Sequence, residues 1–324
     1  MLQILNPSIK RFFYILLFSL LSTPFANAQN WPSRTITIIV PYAPGATDQE
    51  ARRLAEMISK YVGHPVVVEN KEGAGGAIGA QFVARSKPDG YTFLYAAPAV
   101  ITIAPLLGNA SYKYEDLMPV ARTTSAPHIL ASRADAPFKN INEMLSYAKA
   151  NPGKLVFGSS GTSTAVHLAG ETMADAAGIS LNHVPYKGLS PAITAALGGF
   201  VDVVIGLPVA IKPQVDAGKM RAIAQFGTNR AAALQDLPTL KESGVNVNLS
   251  VDLGFFGPAG ISPAIIGNMN EAVAKAVNTE EFKAFANRAL AAPAFLPADE
   301  YKKIVDAERA LYARLIPKIK LNEK

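Results

Sequence analysis

The chain has 324 residues, with 31 basic against 25 acidic side chains, a formal net charge of +6 and no cysteine. A hydrophobic content of 49% against 17% charged residues excludes a disordered chain, and the length suits about two domains. The missing cysteine excludes a disulfide scaffold, thiolate-held zinc or iron–sulfur clusters, a Cys nucleophile and a lipidated Cys anchor.

At the N-terminus, Lys10 and Arg11 precede the apolar run Phe12–Leu21, then Pro24 and the small-residue pattern Ala26-Asn27-Ala28. This reads as a secretory signal cleaved after about Ala28, because the run is shorter than the roughly 20 residues a membrane span needs. Residues 1–28 hold two basic and no acidic side chains, so the exported chain carries 29 against 25, or +4. Its basic residues form no run and do not interleave with aromatics, so nucleic acid is not expected as a partner. Export to the periplasm is expected.

In chain order, the β-branched Thr35–Val40 predicts a strand. A Pro/Gly loop from Pro41 to Ala46 follows, then a helix with Ala51, Leu54, Met57, Ile58, Tyr61 and Val62 on one face, stopped by Gly63. Val66–Val68 predicts a second strand, Gly73–Gly76 a tight loop before a helix through Ala80, Phe82 and Val83, and Tyr91–Tyr95 a third strand. The pattern restarts with strands at 129–131 and 155–157 flanking a helix at 141–150. A Gly/Ser/Thr loop over 158–164 then leads into a helix at 165–177. Strands at 183–186, 200–205 and 222–224 come next, with a helix over 193–197, and helices at 264–277, 280–291 and 298–316 close the chain. Alternation of this kind predicts an α/β architecture with mostly parallel sheets. The breaks near 125–127 and 248–251 read as two chain crossings between lobes. Lobe 1 would then be 29–125 plus 252–324, and lobe 2 would be 126–251.

The same device occurs once in each lobe. In the first, Thr47 with Glu50 fits a capping box at a helix start. In the second, Gly158–Thr164 runs from strand to helix with hydroxyls crowded at the N-terminus. Unpaired N–H groups and the helix dipole favour an anion there, and such loops lie at the carboxyl ends of strands where ligands bind. Ser and Thr are also ordinary caps, so either loop alone carries little weight. The pair, in an exported two-lobe chain, points to a small carboxylate in a shared cleft.

Other motifs exclude more than they establish. Gly73 and Gly75 fail the dinucleotide fingerprint, which needs glycine where Ile78 stands, so this loop is expected to line the cleft through Gly75 and Gly76. Gly161–Ala165 approaches the nucleophile elbow around Ser163, but no downstream Asp-then-His order supports a hydrolase. His64 and His128 have no acid at metal-ligand spacing, so no metal or cofactor is expected. Asp202, in the apolar strand 200–205, must be paired. It is expected either to fix lobe geometry or to face the cleft. Lys187 reads as a solvated turn residue or a charge near the ligand, and His167 as a packing histidine or a donor to a bound anion.

In its ordered motifs the chain resembles the Bug family, the periplasmic substrate-binding proteins of tripartite tricarboxylate transporters (TctC-like). The residues that carry the resemblance are Val40–Gly45, Val67–Asn70, Gly73–Gly76, Pro88–Thr92, Ala150–Leu155, Gly158–Gly161, His167–Glu171, His183–Gly188, Gly198–Asp202 and Pro258–Gly260. It implies a two-lobed Venus-flytrap (type II periplasmic-binding-protein) fold that is not an enzyme. Such a fold closes on a small organic acid and presents it, as a monomer, to membrane permease subunits. A ligand sensor for a signalling receptor is the alternative role on the same fold. The implied ligand set comprises Tyr42, Ala43, Gly45, Ala46, Thr47 and Asp48 of the first loop, and Ser159, Thr162, Ser163, Thr164 and His167 of the second. Ala97, Tyr186, Lys187, Asp202 and Leu207 join the glycines at 75 and 76. The first loop is one residue shorter than the family pattern, Ser163 stands for a glycine, Gly206-Leu207-Pro208 replaces an Asp or Asn, and Leu253 stands where an aromatic is usual. These departures make the cleft less polar.

Overall fold

The computed structural model describes residues 31–162, 164–227 and 229–318, so the expected export segment and Ser163 lie outside the described residues. The chain runs β1 (Ile36–Val40), α1 (Ala46–Val62), β2 (Val66–Asn70), α2 (Ala77–Ala84), β3 (Thr92–Ala96), α3 (Ala99–Leu106) and β4 (Leu117–Pro127). It continues through β5 (Ile129–Arg133), α4 (Ile141–Ala150), β6 (Leu155–Ser159), α5 (Ala165–Ala177), β7 (Leu181–Pro185) and α6 (Leu189–Leu197). Then come β8 (Val203–Gly206), α7 (Pro208–Asp216), β9 (Met220–Gln225), β10 (Ser250–Pro258), α8 (Pro263–Val277), α9 (Glu280–Arg288), β11 (Ala292–Pro297) and α10 (Ala298–Leu315). None of the described helices is long and apolar enough to cross a membrane.

Two sheets form, ordered β11-β4-β10-β3-β1-β2 and β7-β6-β8-β5-β9. Both are mixed rather than mostly parallel. β1 pairs in parallel with β2 and β3, and β6 with β7 and β8, whereas β10, β11, β5 and β9 pair antiparallel. The antiparallel half comes from the strands that carry the chain between sheets. β4 ends at Pro127 in the first sheet and β5 starts at Ile129 in the second, and β10 re-enters the first sheet at Ser250, opposite Pro127.

Each sheet is covered on both faces, which is why its central strands read as unbroken apolar runs. Ile36, Ile38 and Val40 of β1 face one core with Leu54 and Ile58 of α1, while Ile39 faces another with Ala80, Val83 and Tyr301. In the second sheet, Val203 and Ile205 pack with Phe157 and Met173, and Val204 with Ala192 and Ile211. A smaller cluster joins the lobes, in which Ile103 of α3, Leu168 of α5 and Tyr312 and Leu315 of α10 pack together.

His128 is the residue between the sheets. It is 6% exposed and edge-on to Phe226 at 6.2 Å, and burial lowers its pKa from 6.5 to about 4. The folded chain therefore excludes a proton that the unfolded chain takes up below pH 6.5. Its contribution is present above that pH and is lost as pH falls towards 4, on the order of 3 kcal/mol. Denaturant unfolding of the wild type and His128→Gln between pH 7 and 4 checks this. The difference between the two stabilities should shrink as pH falls, and a constant difference would assign the histidine no such role.

Candidate functional site

The loop Pro41–Gly45 leads from β1 into α1. Gly45 is extended, with φ 179°, and no side chain caps the helix, so the first amides of this 17-residue helix keep their unpaired N–H groups. The expected capping box is absent. The helix begins one residue early, at Ala46, and Glu50 turns inward instead. Its Oε1 accepts from the Tyr95 hydroxyl at 2.5 Å and from Thr124 Oγ1 at 2.7 Å. Burial raises the Glu50 pKa and, with Glu50 beside it, that of Tyr95. Tertiary hydroxyls have displaced a local cap.

The loop is held from behind. Arg52 Nε lies 3.1 and 3.0 Å from the two oxygens of Asp48, and its Nη2 donates to Asn70 Oδ1 at 3.1 Å. Asn70 Nδ2 donates to the Tyr42 carbonyl at 2.9 Å. The hydrogen bond from Arg52 holds the Asp48 carboxyl below its ordinary range. Asp48, expected at the ligand, is thus a buried partner of Arg52 that fixes the loop.

The second loop follows β6. Thr164 caps α5, accepting from His167 N at 3.3 Å and donating to Gly161 O at 2.9 Å, while Ser160 Oγ donates to Thr164 Oγ1 at 3.1 Å. Ser159 and His167 lie underneath. Ser159 is fully buried with its Oγ 2.6 Å from His183 Nε2, and the two histidine rings stack at 3.8 Å. Burial, then the His167 neighbour, lowers the His183 pKa to about 4. A Ser–His contact this short has the spacing of a nucleophile and base, but Ser159 is fully buried and its Oγ also bonds Gly161, so here it anchors the loop.

Two chambers open between the lobes, and Tyr42 and Ala97 line both. The first, about 430 Å³, is bounded by Ala46, Thr47, Gln49 and Glu50 of α1, Thr124 and Ala126 of β4, and Leu207 and Val209. Val251 and Leu253 of β10 and Phe285, Arg288, Ala289 and Ala291 complete it. The second, about 630 Å³, has Ala74 and Gly75 and α3 on one side and Ser160, Thr162, Thr164, Ala165 and Val166 on the other.

Of the expected set, the chambers bring together Tyr42, Ala46, Thr47, Gly75, Ala97, Thr162, Thr164 and Leu207. Ala43, Gly45, Tyr186 and Lys187 line neither. Asp202 stands at the start of β8, the end of the strand away from Leu207, where it accepts from Arg133 Nε at 3.2 Å and Val156 N at 2.9 Å. It fixes the lobe and does not face the cleft. Ser160 falls within the second loop, 159–164, that the resemblance implied, whereas Gln49, Glu50, Thr124, Phe285 and Arg288 were not expected at the ligand. The wall from Phe285 to Ala291 was hidden because the helical pattern to Ala291 ends early, at Arg288, where Leu290 takes a left-handed backbone at φ 55°. Ala74, on the second chamber, has φ 49°. Among the described residues these are the two non-glycines in that region; Ala74 lines the second chamber and Leu290 lies between Ala289 and Ala291 of the first, and strained backbone often marks working sites.

Residues 50–321 match the family model described as the tripartite tricarboxylate transporter family receptor. The UPF0065 protein in gbd 5'region of Cupriavidus necator is 35% identical over 296 residues, covering 90% of each chain. Among solved structures, a TctC solute binding protein from Polaromonas without ligand has 30% identity and a TM-score of 0.79, covering 89% of this chain and all of that one. An R. palustris protein solved with adipate has 28% identity and a TM-score of 0.76, covering 88% of this chain and 97% of the other. MatC from Rhodopseudomonas palustris with bound malate has 26% identity and 0.74, covering 88% and 100%. The two sheets and the cleft between them are the Venus-flytrap fold of these proteins.

The wall shared by the chambers depends on Gly76. A Cβ there would lie 3.0 Å from Val100 Cγ2 and 3.4 Å from Tyr42 Cε1, at φ +101°, whereas Gly75, at φ +64°, has open space. Gly75→Ala should cost about 1 kcal/mol from backbone strain alone. Gly76→Ala should cost about 1–3 kcal/mol more, from displacing Tyr42 and Val100. Equal losses in denaturant melts would show that Tyr42 is not held by this contact.

Proposed function

The chain belongs to the tripartite tricarboxylate transporter receptor family, and from that premise we propose that it captures a small organic carboxylate in the periplasm and delivers it to the membrane permease subunits of such a transporter. The observation that carries the reading is the meeting of two helix starts at one cleft. The uncapped first turn of α1 supplies Ala46 and Thr47 to the first chamber, and the hydroxyls of Ser160, Thr162 and Thr164 at the start of α5 line the second, the two chambers meeting at Tyr42 and Ala97. Both ends offer donors and a favourable dipole to an anion without burying a fixed positive charge. Dicarboxylates bound in two relatives of similar fold suit this chemistry. The signal segment expected over residues 1–28 gives the chain its route to the periplasm. Closing about the paired crossings at β4 and β10 would bring the two helix starts onto the ligand and shape the face that the permease reads.

Titration calorimetry of the mature protein against a panel that includes malate and adipate should find at least one saturable carboxylate ligand. Thr162→Ala and Thr47→Ala should each weaken it by about 1 kcal/mol, or roughly fivefold, with little change in melting temperature. No binding across the panel, or wild-type affinity in both variants, would overturn the assignment.

A further inference from the structure

The first chamber holds one acid among apolar walls. Glu50 is 5% exposed and lines the cavity, and the hydroxyls that reach it, from Tyr95, Thr124 and, at 3.4 Å, Thr123, all go to the same oxygen, Oε1. Thr123 Oγ1 also lies 3.0 Å from the Leu253 carbonyl, and among the described residues no hydroxyl bonds Oε2. Oε2 is left to whatever occupies the chamber. The only cationic side chain on that wall among the described residues is Arg288, exposed at the rim. An acid beside the start of α1 is a poor neighbour for a bare carboxylate. It would either repel a second acidic head or have to be neutralised. A nitrogen donor at Oε2 resolves this, because it supplies the counter-charge that a buried carboxylate otherwise lacks.

We propose that the ligand of this cleft is a zwitterion, a carboxylate that also carries a protonated nitrogen, with the carboxylate at the start of α1 and the nitrogen on Glu50 Oε2. The inference rests on the carboxylate-binding reading and narrows its substrate class. Both anchors lie on one helix. The first-turn amides at Ala46 and Thr47 and the Glu50 backbone are three to four residues apart, about 5–6 Å along the axis, so one small molecule spans them. The remaining walls, Leu207, Val209, Leu253 and Phe285 among them, suit an apolar body on that molecule. Burial raises the Glu50 pKa, and an ammonium at Oε2 counteracts this by stabilising the ionised form.

The test pairs each amino acid with its deamino analogue: alanine with propanoate, leucine with 4-methylpentanoate, phenylalanine with 3-phenylpropanoate, and glutamate with glutarate. Affinities are measured by calorimetry on the mature wild-type protein and on Glu50→Gln. The amide oxygen of the variant still accepts the Tyr95 and Thr124 hydroxyls, so the fold is kept while the charge is removed, and its melting temperature verifies this. At least one amino acid should bind roughly 10- to 100-fold tighter than its analogue, the range of a charged hydrogen bond, and the preference should collapse in the variant. Deamino acids that bind as well as or better than their partners, or a preference untouched by Glu50→Gln, would overturn the zwitterion and leave the carboxylate reading standing. If no member of either series binds but malate or adipate does, the zwitterion fails and the carboxylate reading stands; if none of these binds, both fail. The wild-type comparison stands without the variant should the variant not fold.

Discussion

The antiparallel pairing of β4 with β10 is the constraint on which the cleft depends. Nine residue pairs, from Ser250 opposite Pro127 to Pro258 opposite Leu117, hold the outgoing and returning chain side by side. The two crossings therefore run side by side between the sheets. The same ladder forms part of the first chamber, since Thr124, Ala126, Val251 and Leu253 all lie near its crossing end. A register shift falls between Leu253 and Gly254, and such bulges bend a strand and re-aim its side chains. Arg122 and Asp252, 17% and 3% exposed, form an ion pair across the ladder. Half-buried charge of this kind adds little net stability, but either member alone would be costly, so it keeps the two strands in register.

The polar groups of the cleft are mainly backbone amides and hydroxyls, weak singly, and these work only if they are held in place beforehand. Most buried polar side chains near the cleft meet that need. Asp48, Arg52 and Asn70 form a chain that ends on the Tyr42 carbonyl. Ser159 and the stacked His167–His183 pair support the second loop from inside. A neutral His183 suits that position, because a charged ring there would face its stacked neighbour. The residues expected to grip ligand thus divide into an outer set that reaches the cavities and an inner set that fixes the backbone.

That division explains what the sequence could reveal. β1, α1, the Gly73–Gly76 turn and α5 were legible because β-branched runs, an apolar helical face and glycines at left-handed positions are local signals. The helix over 165–177 has the bounds its pattern predicts. β4, with Pro119 and the polar run Arg122–Ser125, reads as a loop and becomes a strand only because β10 and β11 pair with it on both sides. The apolar, β-branched segment at α3, interrupted by Pro105, carried no helical period. Glu50 fitted a capping rule that holds for isolated helix ends, and it was overridden by hydroxyls from β3 and β4, 45 and 74 residues away. For Asp202, pairing was required by its apolar surroundings, but only the fold shows that Arg133 and the Val156 amide meet it.

The two chambers are not equivalent, because the lobes are braced on one side of the cleft. Ile103, Leu168, Tyr312 and Leu315 bury one another where α3, α5 and α10 meet, and Ile103 with its neighbours Leu107 and Ala165 also lines the second chamber. Side chains of that size contribute about 1.5–3 kcal/mol each when buried, so a rotation about β4 and β10 that parted the lobes here would meet substantial resistance. The hydroxyl loop stands on this braced side. Glu50 and Arg288 stand on the other, where the wall is built from α9 and the strained turn at Leu290. The hydroxyls of the second loop thus lie where the lobes are tied together, and the start of α1 with Glu50 and Arg288 lies outside that brace.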